Sequence, residues 1–314
     1  MITVDDISAL ARWADPALAT RIAPVEGPIL WTTTTESVLD QSVLRAARIE
    51  ATPERPLHVL VPSAGSRLRR QEVISHVWST PLPEEALYRL TPEVLLASPQ
   101  FCLQGISARE SSVKAVVTAM EICGCYGRTP RAKDGFIMRP PLAKISDLRE
   151  HFDHNHSYGA KQARIALHHA IEGSRSPMET VVILLFTLPV KMGGCGLPAP
   201  EVNVRIQIPP YLQHALGKPY VVVDLCWRDV RIILEYDSYL WHSTAFAVDS
   251  DSTRNEGLRD MGWMVRSVTA GMLANDGMRR HLVSKVMECF GRKLPGNPEY
   301  DQLQHNLIQE LLHC

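Results

Sequence analysis

The sequence predicts an α/β (α+β) protein with two parts: an N-terminal α+β domain, and a C-terminal core in which helices flank a mixed sheet. Three observations lead to this prediction. The chain of 314 residues is long enough for two domains, and its hydrophobic fraction of 45% is typical of packed globular proteins. Residues 1–172 mix helical periods with short strand periods. From Ser176 onward the predicted order is helix, three strands, helix, strand, helix. We place the core at residues 173–292 and a C-terminal helical tail at 293–314.

Composition narrows the possible functions. The formal net charge is -1, so nucleic-acid binding would have to depend on a local basic patch. The seven cysteines are odd in number and irregularly spaced, which indicates reduced thiols and a cytoplasmic protein. The N-terminus has no basic and apolar signal-peptide pattern, and the longest apolar run, residues 181–190, is too short to cross a membrane.

The elements of the N-terminal part follow from periodicity and turn signals. Residues 128–141 are polar and predict an exposed loop. The arginines at 67, 69 and 70 form either a phosphate-binding patch or a solvated basic loop. The histidines at 151, 154 and 156 could hold a metal, but a solvated loop is the simpler interpretation. The predicted helices cover residues 7–13, 36–49, 91–97, 111–126, 146–152 and 161–171, and the predicted strands cover 57–62, 87–90 and 101–106.

The C-terminal part opens with a strong helix start. Ser176 is a good N-cap, Pro177 suits the first helical position, and Glu179 stands where a capping box places its carboxylate. Further signals predict strands at 203–208 and 263–268. A helix that carries Arg254 and Leu258 on one face precedes the last strand. Helices at 273–291 and 299–312 follow it.

Residues 219–242 form the most informative stretch, because three carboxylates interrupt two apolar, β-branched runs that predict a hairpin. If the hairpin loop has an even number of residues, Asp224 and Glu235 share one face of the sheet. Asp237 joins them, since residues two apart on a strand point the same way. Buried ionised carboxylates are costly unless they are paired or bind a metal. The pattern therefore favours a divalent cation between them.

These residues, in this order, resemble a known superfamily. The matching motifs cover roughly the C-terminal 120 residues and are specific only in combination. They resemble the PD-(D/E)XK nucleases, in the branch related to very-short-patch repair endonucleases, whose core is restriction-endonuclease-like. The motifs are Ser-Pro-Met-Glu179, Gly-Leu-Pro-Ala-Pro-Glu-Val-Asn203, Val-Asp224-Leu-Cys-Trp, Ile-Leu-Glu235-Tyr-Asp237-Ser, Trp-His242 and Asp-Ser-Thr-Arg254.

The resemblance implies Mg²⁺-dependent (or Mn²⁺-dependent) endonucleolytic cleavage of DNA, in defence or repair. It implies Asp224 and Glu235 as metal ligands, joined by Glu179, and His242 as part of the active site. Asp237 stands where the superfamily has a lysine, so His242 or a lysine from elsewhere, such as Lys218, would have to replace it. Phosphodiester hydrolysis builds negative charge on the phosphate, which a cation held by carboxylates can stabilise.

Simpler interpretations stay open for each residue. Glu179 could serve only as a helix cap, Asp237 could begin a turn, and His242 could be a histidine at the edge of the core. Arg254 could contact a substrate phosphate or pair with one of the acids.

A different function also stays open for the whole protein. Residues 1–172 weakly resemble AbiEi-type abortive-infection antitoxins, so a DNA-binding regulator on a nuclease scaffold is the alternative, and cleavage of RNA is a weaker one. The sequence leaves the oligomeric state undecided, a homo-oligomer included.

Overall fold

The chain folds into two compact units, Met1–Ala170 and Ile171–Cys314. The computed structural model describes residues 1–26, 40–237 and 245–314. Each unit has its own sheet and its own helices, which confirms the predicted α+β class.

Unit 1 is organised on a five-stranded mixed sheet. Its strands are β1 (Ile2–Val4), β2 (Leu57–Val61), β3 (Val73–Val77), β4 (Leu87–Arg89) and β5 (Val94–Ala97), in the order β3-β2-β1-β5-β4. The pairs β1·β5 and β2·β3 are parallel, and β1·β2 and β4·β5 are antiparallel. A separate two-stranded sheet holds β6 (Tyr126–Arg128) and β7 (Phe136–Met138). The helices are α1 (Asp6–Trp13), α2 (Gln41–Ala46), α3 (Pro99–Arg109), α4 (Ser112–Cys123), α5 (Ile145–Asp153) and α6 (Ala160–His169).

Three predictions for unit 1 are wrong. The predicted helix at 91–97 contains β5, and the predicted strand at 101–106 lies inside α3. Ser98 begins α3 instead of Thr91, and its hydroxyl accepts a hydrogen bond from the N–H of Phe101 at 3.2 Å. Because α3 is buried on most sides, its sequence has no helical period that could be recognised. The predicted exposed loop at 128–141 contains β7 and the buried residues Thr129 and Arg139. The strands β1, β3 and β6 were also not predicted. Of the predicted helix at 36–49, residues 36–39 lie outside the described residues.

Unit 2 is organised on a four-stranded mixed sheet in the order β11-β10-β9-β8. The two pairs that involve β9 are antiparallel, and β10·β11 is parallel. The strands are β8 (Glu201–Gln207), β9 (Tyr220–Trp227), β10 (Ile232–Tyr236) and β11 (Met264–Val268). The helices are α7 (Pro177–Thr187), α8 (Pro210–Leu216), α9 (Ala245–Asp260), α10 (Ala270–Ala274), α11 (Asp276–Cys289) and α12 (Pro298–His313). The sequence did not predict α8, because Pro209-Pro210 was interpreted as a stop and not as a helix start.

Packing fixes the elements that surround the hairpin. The core of unit 2 includes Ile206, Val223, Ile233, Leu258 and Val265, so that strands β8 to β11 and helix α9 all contribute to it. Helix α7 is almost wholly buried, and α12 packs against it. All seven cysteines are unbridged. Among the described helices, none is both long enough and apolar enough to cross a bilayer.

Candidate functional site

The register of the β9·β10 hairpin brings two predicted carboxylates together. Leu225 pairs with Leu234, and Cys226 pairs with Ile233. The next step of this register places Glu235 opposite Asp224, on one face of the sheet, where Cβ atoms lie about 5 Å apart. This is the arrangement that an even-numbered loop predicts.

Asp224 is held in place by the strand that faces it. Its Oδ2 accepts a hydrogen bond from the backbone N–H of Tyr236 at 2.8 Å. Burial raises the pKa of Asp224 above its ordinary value, and this hydrogen bond, followed by the charge of Arg254, opposes the rise. Burial therefore outweighs the favourable contacts, and the surroundings of Asp224 stabilise its ionised carboxylate less than water does.

Glu235 forms an ion pair with the helix that covers the sheet. Its Oε1 accepts a hydrogen bond from Nη2 of Arg254 at 2.7 Å, and the same nitrogen donates to the carbonyl of Val222 at 2.6 Å. Burial, followed by repulsion from Asp224, raises the pKa of Glu235 to about 7 in spite of this arginine. Arg254 therefore lies beside Glu235, and its single positive charge does not offset the effects of burial and of the nearby Asp224.

Glu179 approaches the same carboxylates from the start of α7. Its side chain is only 7% exposed, and its Oε2 accepts hydrogen bonds from the backbone N–H of Arg175 and from Nδ2 of Asn203, both at 2.8 Å. The hydroxyl of Ser176, the N-cap of α7, accepts from the N–H of Glu179 at 3.1 Å. Burial first, and the charge of Asp224 in addition, raise the pKa of Glu179. Glu179 therefore caps the helix and also lies in the field of Asp224.

Asn203 belongs to this site but was not predicted as a site residue. It lies in β8 with a left-handed backbone (φ 51°), and its Nδ2 also donates to the carbonyl of Gly173 at 3.0 Å. Asparagine tolerates this conformation better than most residues. A polar amide between Val202 and Val204 in an alternating strand was the signal that could have identified it.

The remaining predicted residues are Asp237, His242 and Lys218. Asp237 directly follows β10, and its N–H donates to the carbonyl of Val268 at 2.8 Å. His242 lies outside the described residues. Lys218 is exposed in the turn before β9. Lys218 precedes Asp224 by six residues, a distance of about 20 Å along the extended chain. We therefore do not expect Lys218 to replace the superfamily's lysine. Among the described residues, Arg254 is a cation that hydrogen-bonds to one of the acids.

The chemistry of the three acids suits a hard divalent cation. Glu179, Asp224 and Glu235 offer only oxygen ligands, and Mg²⁺ needs few of these because it keeps several waters. The pKa of all three is raised by burial, which marks uncompensated negative charge. In the described part of the chain, however, these acids do not form a group of three ligand atoms within 4.8 Å of one another. A cation would therefore be held by two of them, with Glu179 adding charge.

A basic cleft lies beside the edge strand β11 in the same unit. It has a volume of about 470 Å³, and Arg259 and Arg266 contribute to its walls. The same two arginines, with His281 and Lys285, line an adjoining hollow of about 210 Å³. This is a local concentration of positive charge on a chain whose net charge is -1.

Comparisons with known proteins do not assign the chain to a family. No protein-family profile matches the chain, and no solved structure matches it. Two uncharacterized proteins of Mycobacterium tuberculosis, from strains CDC 1551 / Oshkosh and H37Rv, are each 34% identical to it over 70 residues. The match covers 22% of this chain and 23% of each relative. The chain therefore spans less than a quarter of the length of these relatives.

Proposed function

We propose that unit 2 is a metal-dependent endonuclease that hydrolyses phosphodiester bonds of DNA. The observation that carries this proposal is the convergence of Glu179, Asp224 and Glu235 from α7, β9 and β10 in a largely buried place. Buried carboxylates that repel one another need protons or a cation. The resemblance to the PD-(D/E)XK nucleases agrees with this set of acids.

Each residue has a defined task in this proposal. Asp224 and Glu235 would hold Mg²⁺ or Mn²⁺, and Glu179, fixed by Asn203, would add negative charge beside them. When bound, the cation would supply stabilisation for the charge that develops on the phosphate and would lower the pKa of a water. Because the pKa of metal-free Glu235 is raised to about 7, protons and the cation would compete for this carboxylate near neutral pH. Arg254 holds Glu235 in place through its hydrogen bond at 2.7 Å.

The basic cleft supports DNA as the substrate class. Arg259 and Arg266 line both hollows beside β11, which is the neighbour of β10 in the sheet. Arginine side chains bind phosphate groups through paired N–H donors. A duplex that contacts this edge would therefore approach the strand that carries Glu235.

The decisive experiment is plasmid nicking by the purified full-length chain with Mg²⁺ or Mn²⁺. We expect activity that Asp224→Asn and Glu235→Gln each reduce by about 10²-fold or more, the range for loss of a group that acts on the transition state. The matched control is Asp229→Asn, which removes an exposed carboxylate from the turn of the same hairpin. If duplex, single-stranded and mismatched DNA all stay intact with both metals, the proposal is wrong.

The alternative function is a DNA-binding regulator that retains the scaffold without cleavage. Two observations favour it: Arg254 already pairs with Glu235, and no lysine stands at position 237. In that case DNA binding would need no metal, would weaken steeply with salt, and would decrease in Arg259→Gln and Arg266→Gln. Binding without nicking in the same assay would favour the regulator.

A further inference from the structure

A second cluster of ligand-type side chains lies in unit 1, apart from the acids of unit 2. Asp6, His58 and His76 each offer one ligand atom, and these atoms all lie within 4.8 Å of one another. The side chains are mostly buried: Asp6 is 3% exposed, His58 13% and His76 11%. Neither the proposed nuclease chemistry nor the histidines at 151, 154 and 156 involve this cluster.

The sheet itself brings the two imidazoles together. In the parallel pair β2·β3, His58 is in register with Ile74, and Leu60 is in register with His76. The two histidines are therefore one diagonal step apart on the same face of the sheet. The third strand, β1, lies on the other side of β2 and ends immediately before Asp5 and Asp6. Three separate stretches of the chain thus contribute one ligand each.

Two of the three separations between ligand atoms fit a shared ion better than hydrogen bonds. His58 Nδ1 lies 3.7 Å from Asp6 Oδ1, and His76 Nε2 lies 3.6 Å from Asp6 Oδ2. Both separations are too long for hydrogen bonds. The two ring nitrogens are 2.9 Å apart, which is hydrogen-bond distance, so one neutral imidazole donates to the other when no ion is bound. A bound ion would replace this hydrogen bond. Ligand atoms bound to one tetrahedral ion at about 2.0–2.2 Å would be roughly 3.3–3.6 Å from each other. The observed separations bracket this spacing.

The surroundings hold Asp6 in place as a ligand. Its Oδ1 accepts a hydrogen bond from the N–H of Ile7 at 2.7 Å, and its Oδ2 accepts one from Nη2 of Arg109 at 2.7 Å. Each oxygen therefore has a partner and retains a lone pair. Such second contacts orient the carboxylate ligands of metal sites.

Two further observations indicate that this cluster has a role other than packing. Asp6 has a left-handed backbone (φ 57°), a sparsely populated conformation that clusters at functional sites. Its neighbour Asp5 is fully buried, and Oδ1 of Asp5 has no hydrogen-bond partner among the described residues. With Arg109 as the cation paired with both aspartates, the cluster holds more carboxylates than compensating side chains.

We propose that Asp6, His58 and His76 bind one divalent transition-metal ion of the zinc class. Two imidazoles and one carboxylate are a ligand set for zinc or iron(II), whereas Mg²⁺ and Ca²⁺ prefer oxygen alone. Three protein ligands leave at least one position for water or another ligand. Arg109 positions Asp6 and does not itself bind the ion. This inference does not depend on the proposed nuclease function.

The test is metal binding by the purified full-length chain after treatment with a chelator. We expect one Zn²⁺ or Co²⁺ per chain, with an affinity that falls at least about tenfold in His58→Gln and in His76→Gln. The matched control is the double variant His154→Gln/His156→Gln, and Glu235→Gln controls for the acids of unit 2. Bound Co²⁺ should lack the near-ultraviolet thiolate band that the free cysteines would produce.

A measurement on the unaltered protein guards against variants that fail to fold. The chain has 12 histidines, and Zn²⁺ should shift the imidazole NMR signals of only His58 and His76. The proposal is overturned if the unaltered protein binds neither ion at one equivalent. It is equally overturned if other imidazoles carry the shifts, or if folded His58→Gln and His76→Gln bind as tightly as the unaltered chain.

Discussion

The two units each gather charged and polar side chains, but the two clusters differ in the atoms that they offer. Unit 2 brings together carboxylates, namely Glu179, Asp224 and Glu235, with Arg254 as counter-charge. Unit 1 brings together one carboxylate and two imidazoles, with Arg109 beside them. Oxygen ligands select hard cations such as Mg²⁺, whereas imidazole favours zinc-class ions. We therefore expect the two proposed sites to select different kinds of metal.

Burial acts in opposite directions on the two kinds of ligand. In unit 2 it raises the pKa of all three carboxylates, so that protons compete for the oxygen atoms. In unit 1 it lowers the pKa of His58, and it lowers the pKa of His76 to about 4. Desolvation disfavours the charged form in each case. Buried imidazoles are thus left neutral at physiological pH, whereas buried carboxylates are left with unfavourable charge.

The sharpest way to distinguish the two clusters is to substitute one ligand in each and measure the binding of both metals. Asp224→Asn should lower Mn²⁺ affinity by at least about tenfold and leave Zn²⁺ binding intact, and His76→Gln should do the reverse. Calorimetric titration of both variants with both ions measures this. If either variant weakens both ions equally, the two clusters are not independent metal sites.

Removing the counter-charge of unit 1 should have a large effect on stability. Arg109→Met would leave Asp5 and Asp6 buried without their arginine, which we expect to destabilise unit 1 by roughly 3–5 kcal/mol. Saturating Zn²⁺ should recover part of this loss. Hydrogen exchange of amides in β1 and β2 measures it, because a chain with two units need not unfold in one step.

Lys114→Met is the control for that experiment. It removes a cation from a partly exposed i,i+4 pair with Glu110. We expect a change below about 0.5 kcal/mol. Equal effects of Arg109→Met and Lys114→Met would contradict the buried-charge interpretation.

The carboxylates of unit 2 should make its stability depend on pH. The pKa of Glu235 in the folded protein is about 7, above its ordinary value of 4.5. Protons therefore bind Glu235 more tightly in the folded state. The stability that this residue contributes is fully present below about pH 4.5 and is lost as the pH rises through about 7. The full effect is about 3 kcal/mol.

Glu235→Gln should remove this pH dependence, and it should stabilise metal-free unit 2 at pH 8 because Gln can still accept the hydrogen bond from Arg254. Urea unfolding at pH 5 and at pH 8 measures both effects. Asp229→Asn, at the exposed turn, should leave the pH profile as it is. A steeper loss of stability in Glu235→Gln at pH 8 would show that the ion pair outweighs burial.

The smallest expected effect concerns the support of Glu179. Asn203→Ala removes hydrogen bonds to Glu179 and to the carbonyl of Gly173, which should destabilise unit 2 by about 1–2 kcal/mol. It should also raise the pKa of Glu179 further, since Asn203 opposes the rise. Thermal unfolding and carboxyl NMR titration measure these changes. Asn306→Ala, in the exposed part of α12, should have little effect.

Local pairing made part of the acidic site predictable. Asp224 and Glu235 flank a short loop, so the parity of their numbers decides whether they share a face, and the observed register agrees. Glu179 could be assigned to the same place only through the resemblance. Its capping role, by contrast, follows from Ser176 and Pro177 alone.

Unit 1 shows where local patterns fail. Residues 91–97 and 101–106 exchanged their predicted structures, because β5 and α3 are each buried on more than one side and lose the period that identifies a strand or a helix. The histidines that the sequence offered as possible metal ligands, at 151, 154 and 156, are close together in the sequence. The histidines that meet in space stand on different strands.

The sequence by itself determined the α+β class and the shared face of Asp224 and Glu235, because helix starts, strand alternation and hairpin parity act over a few residues. Only the tertiary structure decided that Asp6, His58 and His76 meet. Their proximity depends on the strand order β3-β2-β1, in which segments distant along the chain become neighbours. Long-range pairing of this kind follows from the packing of whole elements, and no short stretch of sequence records it.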